Sequence, residues 1–175
     1  MYTCTNFFIF FLLQLFADSH CQFIGLPDNI KTKVVGLSAT HDFINFRNQQ
    51  LRAGVPQSIV EEMTEHFPLA HHPVIRTHPE TGKQSIYVNT AFTTKIENVS
   101  ETESKQLLRT LYDQSKIPEY QCRFKWEEGS IAFWDNRACQ HYAAADYFPD
   151  TRTVERVTVC GDKPFFVPDA KESKL

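Results

Sequence analysis

The sequence predicts a mainly β structure with flanking helices, formed by a single domain. Two stretches after residue 73, VIRTHP and SIYVN, have the composition of strands, and HPETGKQ between them carries the Pro and Gly typical of a hairpin turn. Four β-rich runs follow residue 118: YQCRFKW, SIAFWDN, ACQHYAA and TVERVTVC. The chain has 175 residues, of which 42% are hydrophobic, so it can bury one core.

The first half of the chain predicts helices and connections. Residues 26–37 predict a short helix, because Pro27 falls near its first turn and Gly36 near its end. The stretch THDFINF that follows is predicted to be a connection. Residues 47–70 are polar and show no period-two alternation, so they predict a surface segment with one short helix near 58–65.

One amphipathic helix is predicted between the two groups of strands. Ser100 and Glu103 have the spacing of a capping box, and an apolar stripe follows them, formed by Leu107, Leu108 and Leu111. The helix is expected to end near residue 115, since Pro118 cannot continue it.

Composition excludes some partners. Eighteen Lys and Arg against 21 Asp and Glu give a net charge of −3, and the chain has no basic run, so nucleic acid is not expected as a partner. The longest apolar run, FFIFFLLQLF at 7–16, is too short for a stable membrane span. The five cysteines are scattered without a CxxC pair, which predicts reduced thiols.

Residues 134–147, WDNRACQHYAAADY, concentrate groups that could carry chemistry. His141 is predicted to project from a strand, as either a structural residue or a metal ligand. Arg152 and Arg156 lie four apart and share a face if they belong to one strand. Either a common anion such as a small diacid or the neighbouring acids would offset their repulsion, and spacing leaves both alternatives open. Those acids are Asp146, Asp150 and Glu155.

An ordered series of segments resembles the carboxy-terminal half of the taurine/α-ketoglutarate dioxygenase (TauD/TfdA-like) family. The series runs through HHPVIRTHPETGKQSIYVN, FTTKI, PEYQCRFKW, WDNR, QHYA and GDKPF, and GLSATHDF at 36–43 extends it upstream. The resemblance implies part of a double-stranded β-helix, or jelly roll, with one non-haem Fe(II) and α-ketoglutarate as cosubstrate.

Site residues follow from the same resemblance. His141 is implied as a metal ligand, and Arg152 as the residue that binds the far carboxylate of α-ketoglutarate. Arg156 is implied to bind the anionic group of the substrate, with Phe43 and Phe92 lining its pocket. The implied partners are dioxygen and a small anionic organic substrate, and the implied reaction is oxidation of a substrate C–H bond.

The family's other two metal ligands come from an HxD pair, and this sequence contains no HxD. Only His78, in His78-Pro79-Glu80, stands in an HxE pattern, and it lies in the predicted turn. Two explanations are open: a truncated dioxygenase whose gene continues upstream with an HxD, or a non-catalytic binding or dimerisation module. A sheet that lacks early strands exposes edges and one face, which either the apolar leader or a homo-oligomer would cover.

The two ends of the chain carry different targeting signals. The predicted organisation is an apolar leader at 1–22, a dioxygenase-like domain at 23–168 and a polar tail at 169–175. The tail ends in SKL, a peroxisomal address, whereas the leader has the length of a signal-peptide core. A cytoplasmic or peroxisomal location is expected, because α-ketoglutarate and Fe(II) are intracellular reagents. Secretion is the alternative if the leader is a true signal peptide.

Overall fold

A computed structural model describes residues 2–4, 13–145 and 153–168, with the side chains of 2–4 excepted. Predictions for Arg152, for Asp146 and Asp150, and for the SKL tail fall outside these ranges. Among the described residues no helix has the length and apolarity needed to cross a membrane.

Strands outnumber α-helices eleven to five in the described residues. The helices are α1 (Ser19–Ile24), α2 (Asp28–Val34), α3 (Ile44–Arg52), α4 (Gln57–His66) and α5 (Glu101–Gln114), with a 3₁₀ turn at Pro118–Tyr120. The strands are β1 (Tyr2–Cys4), β2 (Leu13–Asp18), β3 (Ser38–His41), β4 (Ala70–Pro73), β5 (Ile75–Thr77), β6 (Gln84–Ile86), β7 (Thr93–Ile96), β8 (Gln121–Lys125), β9 (Ile131–Ala132), β10 (Cys139–Ala143) and β11 (Val154–Arg156).

The strands pair antiparallel in four small sheets. Their orders are β11-β1-β9, β10-β2-β8, β4-β3-β7 and β5-β6. The predicted hairpin is confirmed, because Ile75 pairs with Ile86 and Thr77 with Gln84. The four predicted β-rich runs each contain a strand, β8 to β11.

The central strand of one sheet comes from the segment predicted to be a separate leader. In β2, Phe16 pairs with His141 on one side and with Cys122 on the other. The expected boundary at residue 23 is therefore not seen, since Leu13–Asp18 and the helix after it are integrated into the fold. The strand was not predicted because its apolar residues are contiguous and show no alternation. Gln14 and Ala17 are the buried positions of β2, whereas Leu13 and Leu15 are only half-buried.

The region between β3 and β4 contains more structure than expected. THDFINF was predicted to be a connection, yet it contains the end of β3 and the start of α3, and α3 precedes the expected helix α4. Helix α3 buries no side chain, so it has no apolar stripe to reveal it. Strand β3 is short and three of its four residues are buried, so it lacks alternation.

The main core lies between α5 and the strands of the β3 and β5 sheets. Helix α5 begins as predicted, because the Ser100 hydroxyl accepts a hydrogen bond from the Glu103 backbone N–H at 3.2 Å. Its leucines pack against apolar residues of the strands and of α2. Those partners include Val34, Ala39, Val74, Ile75, Ile86, Val88 and Ile96.

A buried ion pair fastens the C-terminal segment to the β5-β6 hairpin. Arg76 is 2% exposed, and its Nη2 donates to Asp162 Oδ2 at 2.9 Å. The Arg76 guanidinium also lies 5.3 Å from the centre of the Tyr87 ring. Backbone bonds add to this anchor, since Thr77 N donates to the Phe165 carbonyl at 2.8 Å.

Two histidines pack beside the same tyrosine. The His41 ring centroid lies 5.0 Å from that of His72 and 5.9 Å from that of Tyr87. Burial first, and the charge of His72 second, lower the pKa of His41 to about 4. The pKa of His72 is also lowered, first by burial and then by the charges of Lys163 and Arg76.

Candidate active site

His141 lies in the middle of β10, between aromatic rings. Its ring centroid is 4.9 Å from that of Trp134 and 6.3 Å from that of Phe16. The Gln14 amide nitrogen lies 3.1 Å from His141 Nδ1, which fixes the ring orientation. Burial, followed by the positive charge of Arg156, lowers the pKa of His141 below 6.5. The imidazole is therefore neutral at pH 7, the form that binds metals or accepts protons.

Arg156 lies in the wall of a cavity of about 310 Å³. The cavity is lined by residues 133–137 and 156–161, which include the apolar side chains of Phe133, Val157 and Val159. Trp134 belongs to this lining and also contacts the His141 ring. Trp134 therefore links the two residues, and Arg156 lies close enough for its charge to lower the pKa of His141.

The WDNR turn is held by a network that sequence reasoning missed. The Asp135 carboxylate accepts hydrogen bonds from Arg137 Nε at 3.0 Å and Arg137 Nη2 at 2.8 Å. It also accepts one from His78 Nε2 at 3.0 Å. Arg137 first and His78 second hold the pKa of Asp135 well below its usual range. Asp135 and His78 are 57 positions apart, so no local pattern could reveal the contact.

His78 has both ring nitrogens engaged within the turn. Its Nδ1 accepts backbone N–H groups of Glu80 and Thr81, each at 3.2 Å, while Nε2 donates to Asp135. The ring thus stabilises the HPETG turn and its contact with WDNR. A metal could bind His78 only by displacing one of these partners.

The described residues do not fit a complete iron site. A facial triad needs two histidines and one carboxylate around one metal. No group of three His, Cys, Asp or Glu side chains is arranged to hold a metal within residues 13–145 and 153–168. Of the expected ligands, these residues supply His141. The four described cysteines, Cys21, Cys122, Cys139 and Cys160, are free thiols.

Phe43 and Phe92 lie in contact, with ring centroids 4.8 Å apart, and their role in lining a substrate pocket stays a prediction. Two further aromatics that sequence reasoning did not single out join them. The Phe43 ring lies 5.0 Å from that of Phe67 and 6.4 Å from that of Phe46. The spacing of Phe46 three residues after Phe43 on a helix was the one available signal.

Together, the fold and the cavity define a β-sheet protein with an arginine in a cavity wall near a neutral histidine. Comparison with known proteins identifies the class. The model of the family described as "Taurine catabolism dioxygenase TauD, TfdA family" matches residues 13–158. The chain belongs to this family.

Relatives and solved structures agree with that assignment. The chain is 40% identical over 154 residues to the α-ketoglutarate-dependent sulfate ester dioxygenase of Pseudomonas putida, covering 86% of this chain and 50% of that protein. It is 40% identical over 154 residues to the α-ketoglutarate-dependent sulfonate dioxygenase of Saccharomyces cerevisiae, covering 86% and 35%. A crystal structure of a taurine dioxygenase from Burkholderia xenovorans superposes with a TM-score of 0.78 at 30% identity, covering 98% and 56%.

These comparisons confirm the predicted fold class, a mainly β jelly roll with flanking helices. They also correct the extent of the resemblance, since the family match begins at residue 13, inside the expected leader. The chain spans about half the length of the curated relatives it matches, for example 47% of the alkylsulfatase of Acinetobacter baylyi.

Proposed function

We propose that this chain contributes the anion-binding part of the active site of an Fe(II)- and α-ketoglutarate-dependent dioxygenase. The substrate class is a small organic anion such as a sulfonate or a sulfate ester. The observation that carries the proposal is the position of Arg156 in a cavity whose Trp134 wall contacts neutral His141. The names of the relatives, a sulfate ester and a sulfonate dioxygenase, support the same class.

Each residue has a separate task in this proposal. The Arg156 guanidinium binds the sulfonate or sulfate group through charge-assisted hydrogen bonds, which its planar geometry favours. Phe133, Trp134 and Val157 line the same cavity and offer apolar contacts to the organic part of the bound anion. His141 serves as one iron ligand, and Arg152, outside the described residues, binds the far carboxylate of α-ketoglutarate.

Fe(II), α-ketoglutarate and dioxygen supply the oxidising chemistry of such an enzyme. The described part of this chain provides one of the three iron ligands, so oxidation requires ligands beyond those described. A cytoplasmic or peroxisomal location belongs to the proposal, because both the metal ion and the cosubstrate are intracellular.

Replacement of Arg156 by alanine should weaken binding of a short alkyl sulfonate about 10- to 100-fold, the range of a lost charge-assisted hydrogen bond. Arg156→Lys should recover part of the affinity, because it keeps the charge but loses the bidentate geometry. Isothermal titration of the 175-residue chain with ethanesulfonate measures this. Arg109→Ala, on the exposed face of α5, is the matched control and should bind normally. Equal affinities for the Arg156→Ala and Arg109→Ala variants would refute the anion site.

The second candidate function is a binding or dimerisation module without chemistry. The observation that favours it is the absence, among the described residues, of any metal-holding group of three side chains. It is also consistent with both His78 nitrogens being engaged in hydrogen bonds.

Anaerobic addition of Fe(II) and α-ketoglutarate should therefore give no charge-transfer band with the 175-residue chain, and aerobic assays should give no substrate-dependent succinate. A taurine-dioxygenase-type enzyme with a complete iron site serves as the positive control. If the band and succinate both appear, the chain completes an iron site by itself, and His78→Gln and Glu80→Gln become the variants to measure. A stable homo-oligomer by light scattering, with neither the band nor anion binding, favours the module.

A further inference from the structure

A second cavity, of about 410 Å³, lies beside β2, and three of the four described cysteines line it. We call it the thiol cavity, after Cys21, Cys122 and Cys139. The charged residues of its described lining are all acidic, namely Asp18, Glu119 and Asp135. The proposed function gives the three thiols no role.

The strand register explains why two of the thiols share a cavity. Phe16 of β2 pairs with Cys122 of β8, and Asp18 of β2 pairs with Cys139 of β10. Directly paired residues of antiparallel strands point to the same face of a sheet, and so do residues two apart in one strand. Cys122, Cys139 and Asp18 therefore share one face of this sheet.

Asp18 brings the third thiol to that face, because it caps α1. Its Oδ1 accepts hydrogen bonds from the backbone N–H groups of His20 at 2.8 Å and Cys21 at 3.0 Å. The pKa of Cys21 is raised, first by burial and then by the charge of Asp18. The cap thus holds Cys21 beside the Asp18 carboxylate.

The three thiols differ in their access to a reagent. Cys122 is exposed, whereas Cys21 and Cys139 are partly buried. Burial raises the pKa of Cys139 to about 11, and the charge of Asp18 acts in the same direction. The thiolate is the form that attacks a disulfide, so Cys21 and Cys139 are poor nucleophiles at pH 7. Cys122 is therefore the reactive position of the thiol cavity.

The charge of the lining favours one class of reagent. Asp135 is compensated by its hydrogen bonds with Arg137 and His78. Asp18 and Glu119 supply the negative charge that is left, and Lys83 lies close enough to act on Cys21. A small cation is therefore attracted to the cavity, whereas an anion such as glutathione disulfide is repelled.

We propose that Cys122 is a modification site for small cationic disulfides of the aminothiol class, such as cystamine. The Cys122 thiolate attacks one sulfur of the disulfide, whose S–S bond breaks as a new S–S bond forms at Cys122 Sγ. The other half leaves as an aminothiolate and takes up the proton that Cys122 released. The Cys122 sulfur is oxidised and the departing sulfur is reduced, so the disulfide is the oxidant. The ammonium group of the bound half lies against Asp18 and Glu119.

The test compares three disulfides of similar size that differ in charge: cystamine, bis(2-hydroxyethyl) disulfide and bis(2-sulfonatoethyl) disulfide. Peptide mass spectrometry measures the second-order rate of adduct formation at each cysteine of the 175-residue chain at low salt. Cys160 is the internal standard, because it meets the same leaving groups in the cavity lined by Arg137 and Arg156. The ratio of cation rate to anion rate should be at least about fivefold larger at Cys122 than at Cys160. This difference should shrink at roughly 0.5 M salt.

Two variants remove charge from the lining. Glu119→Gln should lower the rate ratio at Cys122 about twofold or more. Asp18→Asn should act in the same direction and keep the helix cap, since asparagine also caps helices. Circular dichroism checks that both variants fold. Glu101→Gln, on α5 outside the cavity, is the matched control and should leave the ratio unchanged.

Three results would overturn the inference. The first is an equal rate ratio at Cys122 and Cys160, or one that neither charge-removing variant changes. The second is a faster reaction of cystamine at Cys21 or Cys139 than at Cys122. The third is the absence of a cystamine adduct at Cys122. Because no step uses iron or α-ketoglutarate, the outcome is independent of the proposed dioxygenase function.

Discussion

Asp162→Ala should lower the free energy of unfolding by about 3–5 kcal/mol, a large part of the 5–15 kcal/mol typical of a domain. The substitution leaves the Arg76 guanidinium, 2% exposed, without the carboxylate that it pairs with at 2.9 Å. Water cannot replace that partner readily inside the core. Urea unfolding followed by circular dichroism measures the change.

The two ends of this ion pair should respond unequally. Arg76→Met removes the buried charge itself, and Asp162 is exposed enough for water to solvate its carboxylate. We therefore expect Arg76→Met to cost about 1–2 kcal/mol, from the lost hydrogen bond and ring contact. The double variant, Arg76→Met with Asp162→Ala, should have about the same free energy of unfolding as Arg76→Met alone. Glu101→Ala, which breaks the exposed pair with Lys105, is the control and should change stability by less than about 1 kcal/mol. Equal losses for the two single variants would contradict the buried-charge explanation.

Acidification from pH 6.5 to 4 should cost the protein up to about 3 kcal/mol of stability through His41 alone. His41 is 8% exposed, and its pKa falls from 6.5 to about 4 in the folded chain. Between these values the unfolded chain binds a proton that the folded chain does not, so stability is complete above pH 6.5 and falls as the pH decreases. His72 titrates in the same direction because its pKa is also lowered.

Urea midpoints measured from pH 7.5 to 4.5 check this expectation. His41→Gln should be less stable than wild type at pH 7.5 but should lose less stability between pH 6.5 and 4.5. Glu97 and Asp135 should not dominate the measured change, because their pKa values are lowered. Their contributions to stability are lost mainly below about pH 4.5 and 3.8. The same pH dependence in wild type and His41→Gln would assign the acid sensitivity to other groups.

Elements with strong local signals were predictable from the sequence. Helix α5 has a capping serine, a leucine stripe and a proline after it, and each signal acts within a few residues. The β5-β6 hairpin was predictable for the same reason, because its turn residues lie between its strands. His141 and Arg156 were singled out by short sequence patterns of the family, and their roles stay predictions.

Features that depend on distant partners were not predictable. Strand β2 is apolar on one side and resembles a leader until it is paired with β8 and β10, more than 100 residues later. The link from His78 to Asp135 likewise joins two turns that are far apart in sequence. Phe67 reaches Phe43 only because α3 and α4 fold back on each other. In each case the information lies in tertiary contacts and not in the local pattern.

The central place of β2 has a consequence for how the chain is made. Asp18 is translated about a hundred residues before Gln121, where the first of its two strand partners begins. At roughly 5–20 residues per second, the nascent strand waits about 5–20 seconds on the ribosome before β8 can pair with it. During that interval its apolar side chains have no sheet to join. Chaperone occupancy on the ribosome is therefore expected to peak while residues 20–120 are being synthesised, and to fall once β8 and β10 have emerged.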